Sequence, residues 1–395
     1  MISVAEARDA ILRNAAGCDV ETLPLRAALG RTLREDIVAH RDQPPFRASA
    51  MDGYALRAAD TPGALRLVGE AGAGRALGRS LEPGECARIF TGAPLPAGAD
   101  AVLIQEDAAR DGDLVTSPAV EQDRHVRAAG VDFARGARLL AAGCVLDAAS
   151  IALAAAAGRA SLSVSRMPRV TVLSGGDELV PPGQIPAEDH IFDSMSIGID
   201  ALAEQWGAES KGIGPLPDDA KVITEALRQA IAVNDLTVIV GGASVGDHDH
   251  ARPAIRSLGG EFLFEKVALR PGKPTWFARV GERIVLGLPG NPASGFVCAR
   301  LFLRPLLDRM CGRNPACSIL LHHARLRSAL ADNGARETYL RAALKTDETG
   351  QVWAEAARQQ DSSLLSVFAH AQALILRPPN APALAAGDLA DVLAP

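Results

Sequence analysis

Thr237-Val238-Ile239-Val240 is a β-branched run that passes without a break into Gly241-Gly242-Ala243-Ser244-Val245-Gly246 and then Asp247-His248-Asp249-His250. The run has the pattern of a buried parallel strand. Such a strand needs neighbours on both edges and cover on both faces, so it limits the fold before any other residue is read. Glycines and a serine at its carboxyl end let backbone approach a ligand and aim N–H groups at an anion. Ligands of open α/β sheets bind at these strand ends. The tail from Asp247 to His250 offers polar groups to a metal or ligand. Alone, the stretch reads equally well as a glycine-rich turn with a solvated tail.

Its surroundings decide. Residues 169–173 form a second strand, 194–206 a helix capped by Asp193 or Ser194, and 218–232 another helix. In the last, Val222, Ile223, Ala226, Leu227, Ala230 and Ile231 fall on one face. A strand over 284–288 and a helix over 292–307 follow. This alternation predicts a parallel doubly wound sheet with helices on both faces. Upstream, Ser3-Val4-Ala5-Glu6 is a capping box opening a helix to about Asn14. Residues 24–29 read as a second helix ended by Gly30, and Pro44-Pro45 as an extended crossing. Residues 48–131 alternate short apolar runs with Gly, Pro and Asp clusters, a small β domain. Helix returns over 146–157, and beyond Pro315 short alternating runs indicate a small β-barrel or sandwich.

A chain of 395 residues has room for two to four domains. Its 48% hydrophobic content with only 4% aromatics implies cores of small aliphatics. A net charge of −6 argues against a nucleic-acid partner. No apolar run approaches the ~20 residues of a membrane span. The start lacks a charged segment followed by an apolar stretch, so a cytoplasmic protein is expected. Six cysteines without a C-x-x-C pair read as reduced, mostly buried thiols.

Four loops of the α/β part converge at the sheet's ligand end. Ser174-Gly175-Gly176-Asp177-Glu178 offers glycines to an anion and carboxylates to Mg²⁺, a hard oxygen-seeking cation. The stretch after Thr237 is the second. Arg270-Pro271-Gly272-Lys273-Pro274 sets two cations on a proline-stiffened turn. Gly287-Leu288-Pro289-Gly290-Asn291-Pro292-Ala293-Ser294 runs strand into loop into helix and presents a helix N-terminus to an oxyanion. Outside this part, Asp52 sits in the tight turn of residues 49–55, and Thr91 opens a rigid loop over 90–100. Each by itself is more often a structural turn than a site. No G-x-S-x-G, P-loop lysine motif or strand-borne G-x-G-x-x-G is present.

Together these segments resemble the molybdopterin molybdenumtransferase family. SAMDGYA (49–55), FTGAPLPAGADAV (90–102), GGDELVPPG (175–183), GGASVGDHDH (241–250), LRPGKP (269–274) and LPGNPAS (288–294) stand in the family's order. The resemblance implies a multidomain α/β protein. An elongated helical linker domain would comprise 1–44 and 138–168, and an inserted β domain 45–137. A molybdopterin-binding doubly wound α/β domain would span 169–315, and a C-terminal β-barrel-like domain 316–395. It implies insertion of molybdate into adenylylated molybdopterin with release of AMP, Mg²⁺ as cofactor and a homodimer. Transient contact with the adenylyltransferase and with recipient molybdoenzymes is implied too.

Residue by residue, Asp52, Thr91, Glu178, Asp218 and Asp249 match catalytic or metal-handling positions, with Glu178 and Asp249 as metal ligands. Gly175, Gly176, Asp177, Ser194, Gly241, Gly242, Ser244, Gly246, Asp247, Gly290 and Asn291 would bind the pterin nucleotide. Arg270, Lys273, Pro274, Ser294 and Arg336 match the molybdate contacts. Asp52 and Thr91 would reach the partner subunit's pocket. The chain departs from the family at Gly175, usually threonine, at Met195, usually asparagine, and at Arg270, usually lysine. A molybdopterin adenylyltransferase, or a non-catalytic dimeric carrier or scaffold of the same family, is the alternative reading.

Overall fold

Six strands build the central sheet of the computed structural model, which describes residues 1–241 and 250–395. They are β1 (Arg169–Gly175), β2 (Glu209–Leu216), β3 (Leu236–Val240), β4 (Glu261–Phe264), β5 (Trp276–Val280) and β6 (Arg283–Leu288). Their spatial order is β2-β1-β3-β6-β5-β4. β2, β1, β3 and β6 are parallel, whereas β5 and β4 run antiparallel at one edge. The sheet is therefore mixed rather than wholly parallel. The reason is local: Val280 pairs with Arg283 across Gly281-Glu282, a link too short for the crossover that parallel strands need.

β3 is buried along its whole length. Val238 and Val240 face one core with Met195, Ile199 and Ala203 of helix α1 (Met195–Gln205). Ile239 faces the other with helix α2 (Ala220–Val233). Asp219 caps α2, its side chain accepting from Lys221 N at 2.7 Å and Val222 N at 3.0 Å. Leu227, Ala230 and Ile231 are buried as the spacing predicts, while Val222 is 39% exposed. Each fully buried Leu or Ile of such a face contributes about 1.5–3 kcal/mol. The expected helix after β6 is broken into Pro292–Cys298 and Arg304–Met310 by a π-helical stretch, Ala299–Leu303.

The N-terminal helix Val4–Asn14 has the predicted reciprocal cap, Glu6 N donating to Ser3 Oγ and Ser3 N to Glu6 Oε2. It buries Val4, Ala7 and Ile11 in the α/β core. The strand Val20–Pro24 then pairs with Ser161–Ser165, and Ile37–Val38 with Arg138–Leu140. The chain thus runs out along one strand and back along another. Between them lies a separate six-stranded sheet, Gly53–Leu56 to Leu114–Ser117. The helix expected over 24–29 is only a single 3-10 turn, Leu25–Ala28. Pro24 is spent on the ladder, and too few residues remain before Gly30 for an α-helix.

Five C-terminal strands close on themselves. Glu337–Thr346 pairs with both Val352–Ala356 and Ala373–Arg377, while Leu321–Leu326 and Leu389–Leu393 complete the ring. Closure leaves the barrel little open edge, the start of Glu337–Thr346 excepted. Leu269–Arg270, from the α/β module, adds in parallel to Glu337-Thr338 of this barrel. Among the described residues no helix is long and apolar enough to cross a membrane. All six cysteines are free thiols, and four are buried.

Candidate active site

Three parallel strands end side by side, and the loops that follow them meet. β1 leads into Gly175-Gly176, β3 into Gly241, and β6 into Pro289-Gly290-Asn291. A Cβ on Gly241 would lie 3.0 Å from the Gly175 carbonyl oxygen, and one on Gly290 3.3 Å from Gly241 Cα. The loops pack backbone against backbone, which only residues without side chains allow. Gly241 also has φ +87°, which glycine adopts without strain. The resulting cleft, about 690 Å³, is further lined by Glu178, Ser194 and Asp218.

Asp177 is absent from that lining. Its carboxylate accepts from Asp218 N at 2.9 Å, so it positions Asp218. Asp193, buried beneath the cleft, accepts from Ser174 Oγ at 2.5 Å, Ser196 Oγ at 2.6 Å and Ser196 N at 3.2 Å. It therefore satisfies the start of α1, and the Ser194 side chain makes no cap bond. Met195 is 5% exposed and packs in the core while also lining the cleft floor. Its Cε would be 2.4 Å from a Cβ on Gly295, so the thioether fills space at the cleft floor.

A second cleft of about 600 Å³ adjoins the first, sharing Pro274, Pro289 and Asn291. Arg270, Lys273, Ser294 and Arg336 line it together. The pairing of Leu269-Arg270 with Glu337-Thr338 accounts for this meeting across modules, and Arg336 Nη1 donates to Leu269 O at 3.5 Å. Barrel residues 360–363 are tied on as well: Ala293 N donates to Ser362 O at 2.9 Å and Asn291 Nδ2 to Ser362 Oγ at 3.2 Å. Arg377 completes the cationic lining, with Asp332 and Asp361 as the acids. Positive charge is thus concentrated in a chain of net charge −6. Sequence reading missed Gln360 and Arg377, and saw Asp361-Ser362-Ser363 only as a blurred form of the family's serine-glycine signature.

The cation loop is rigidly set. Gly272 has φ +123°, and a Cβ there would come within 2.3 Å of Cys298 Sγ and 2.9 Å of Leu269 Cδ2. Cys298 is fully buried, and burial pushes its thiol pKa up to about 12. Gly272→Ala is expected to destabilise the fold by about 1–3 kcal/mol. It should also weaken oxyanion binding at Lys273; denaturant titration and calorimetry check the two effects.

On the inserted module, Thr91 N and Thr91 Oγ1 both donate to Asp52 Oδ1, at 2.8 and 2.9 Å. The backbone donor first and the hydroxyl second hold this carboxyl below the usual carboxylate range. Asp52 therefore stays ionised as pH falls through that range. Thr91→Val removes only the hydroxyl and is expected to move the Asp52 titration upward toward the ordinary value, as read by carboxylate NMR. Arg88 braces the pair: its guanidinium lies 5.2 Å from the Tyr54 ring centroid and 5.0 Å from that of Phe90, and donates to Gly53 O at 3.2 Å. Among the described residues, no part of the inserted module lines either cleft.

Gly242, Ser244, Gly246, Asp247 and Asp249 lie outside the described residues. Among those described, no group of three or more His, Cys, Asp or Glu side chains forms a metal cluster.

Comparison with known proteins agrees with this layout. Three family models match in order: "MoeA N-terminal region (domain I and II)" over residues 2–158, "Probable molybdopterin binding domain" over 171–309, and "MoeA C-terminal region (domain IV)" over 323–394. Fold and site thus define an enzyme of molybdenum cofactor biosynthesis. The molybdopterin molybdenumtransferase of Nostoc sp. is 36% identical over 335 residues, 82% of this chain and 76% of that one. That of Haemophilus influenzae is 32% identical over 364 residues, 90% and 89% of the two chains. The chain belongs to the molybdopterin molybdenumtransferase family. The crystal structure of the molybdopterin biosynthesis MoeA protein from Pyrococcus horikosii is similar throughout, with TM-score 0.87 at 30% identity, covering 100% of this chain and 99% of that one.

Proposed function

We propose that this chain, as a cytoplasmic homodimer, inserts molybdate into the dithiolene of adenylylated molybdopterin and releases AMP. One observation carries the reading: a glycine-lined cleft at the sheet's carboxyl end opens into a cation-lined cleft, the two sharing Pro274, Pro289 and Asn291. Two anions of different shape can therefore be held in contact. Closely packed glycine backbone suits the pyrophosphate of a pterin nucleotide, and fixed cations suit a tetrahedral dianion.

Arg270, Lys273, Ser294 and Arg336 hold the oxyanion, and Pro274 stiffens their loop. Gly175, Gly176, Gly241, Gly290 and Asn291 let the nucleotide approach, and Ser194 offers its hydroxyl. Glu178 and Asp218 are the carboxylates at the pyrophosphate. Mg²⁺ fits this donor set, because it takes one or two carboxylates plus substrate phosphate oxygens and keeps several waters. Glu178 and Asp218 would hold it, and bound there it would neutralise charge developing on the pyrophosphate oxygens. Asp52, fixed by Thr91, acts from the second copy of the chain, since each chain's own clefts lack it. Transient contact with the adenylyltransferase and with recipient molybdoenzymes follows from where substrate arises and product goes.

The test is incubation with adenylylated molybdopterin, Mg²⁺ and molybdate, following AMP release and activation of an apo-molybdoenzyme. Molybdate-dependent AMP release is expected. ATP-driven adenylylation of bare molybdopterin, or binding without reaction, refutes the proposal in favour of an adenylyltransferase or a carrier.

A further inference from the structure

The cation-lined cleft holds one cation that no recognised motif includes. Arg377 ends the barrel strand Ala373–Arg377 and lines the cleft with Arg270, Lys273 and Arg336. It is 2% exposed. Its Nη2 donates to the carbonyls of Ala331 and Pro382. Nε and Nη1 are shut off from water and have no acceptor among the described residues.

Among the described residues no carboxylate forms an ion pair with it. Asp361 lines the same cleft, but its Oδ1 accepts from Ser363 N at 2.9 Å and Ser363 Oγ at 2.7 Å. No described ion pair joins Asp332 or Asp361 to Arg377. Nor is Arg377 free to move out to solvent. Asn333 Nδ2 donates to Arg377 O at 2.9 Å and Pro378 O at 2.7 Å, and Asn333 Oδ1 accepts from Thr338, the cross-strand neighbour of Arg377, at 2.9 Å. A desolvated, unpaired and fixed cation is costly to a fold unless an anion arrives to neutralise it.

We infer that the oxyanion taken by this cleft is the counter-charge of Arg377, which makes Arg377 a determinant of anion affinity beside Lys273. The inference rests on the proposed reading of the cleft as the molybdate site. Because the guanidinium itself is shut off from water, its attraction for the anion should be screened less by salt than that of an exposed side chain.

Calorimetric titration of the full-length chain with sodium molybdate tests it at two ionic strengths, using Arg377→Met, Arg377→Lys and Lys273→Ala. Arg377→Met is expected to weaken binding about tenfold at both, the order expected for loss of one nearby buried charge. Arg377→Lys, which keeps the charge, should stay near wild type. The rise in Tm on adding molybdate should shrink in the Met variant alone of these two. Wild-type affinity in Arg377→Met with loss in Lys273→Ala overturns the inference and spares the site. Equal weakening in the Met and Lys variants also overturns it, since charge would not then be the cause. Wild-type affinity in all three overturns the reading of the cleft itself. Should Arg377→Met not fold, Arg377→Gln carries the same expectations.

Discussion

Asp52→Ala is expected to lower molybdate-dependent AMP release by about 10²–10³-fold while leaving molybdate binding intact. The carboxylate sits in an exposed turn and accepts only from Thr91 among the described residues, so its loss removes little from the fold. The molybdate contacts lie on other modules, which is why binding should survive. Mixing separates an action within one chain from an action across two. Asp52→Ala and Glu178→Ala chains, each inactive alone, are unfolded together, refolded and assayed. Random pairing puts half the dimers in the mixed form, and each of those carries one intact site of two, so roughly a quarter of wild-type activity should return. No recovery would mean that Asp52 serves its own chain's cleft, and the dimeric site would be wrong.

Glu178→Ala is the second large effect. The carboxylate folds back over the β1 loop, where a Cβ on Gly176 would come within 2.5 Å of Glu178 Oε2. That places an acid at the wall of the glycine-lined cleft, which Asp218 also lines. Its removal is expected to cut turnover about 10²–10³-fold and to abolish the response to added Mg²⁺. Glu178→Gln, matched in size but uncharged, should behave like the alanine variant. AMP release measured across a Mg²⁺ series decides it: an unchanged Mg²⁺ response in both variants would remove Glu178 from the metal's neighbourhood.

The parallel strands were legible because each is a buried, β-branched or aliphatic run bounded by glycine or polar residues. β2 was not, because as an edge strand it carries Lys211, Gly212, Gly214 and Pro215 and is largely exposed. Apolar on every face, Trp276-Phe277-Ala278 gives no alternation to read, and the antiparallel edge went unseen with it. The site showed the same division. Glycine loops and the Arg270–Pro274 turn are contiguous in sequence and could be recognised as units. Asp193 read as a simple cap, although burial makes it the acceptor that joins β1 to α1. Arg377 has no motif at all, because what distinguishes it is the closure of a barrel around it. Met195, where the family usually has asparagine, packs its thioether against Gly295 at the floor of the cleft.

The Leu269-Arg270 graft onto the barrel ladder has one more consequence. The wall of the cation-lined cleft is stitched from two modules, whereas the glycine-lined recess takes only Ser363 from the barrel's side. On the proposed reading, selection can retune which inorganic ion is accepted by altering barrel residues, with the glycine loops after the parallel strands left untouched. On the same reading, a chain ending after the α/β sheet would keep most of the recess for the organic ligand and lose Arg336 and Arg377 from the wall that meets the oxyanion.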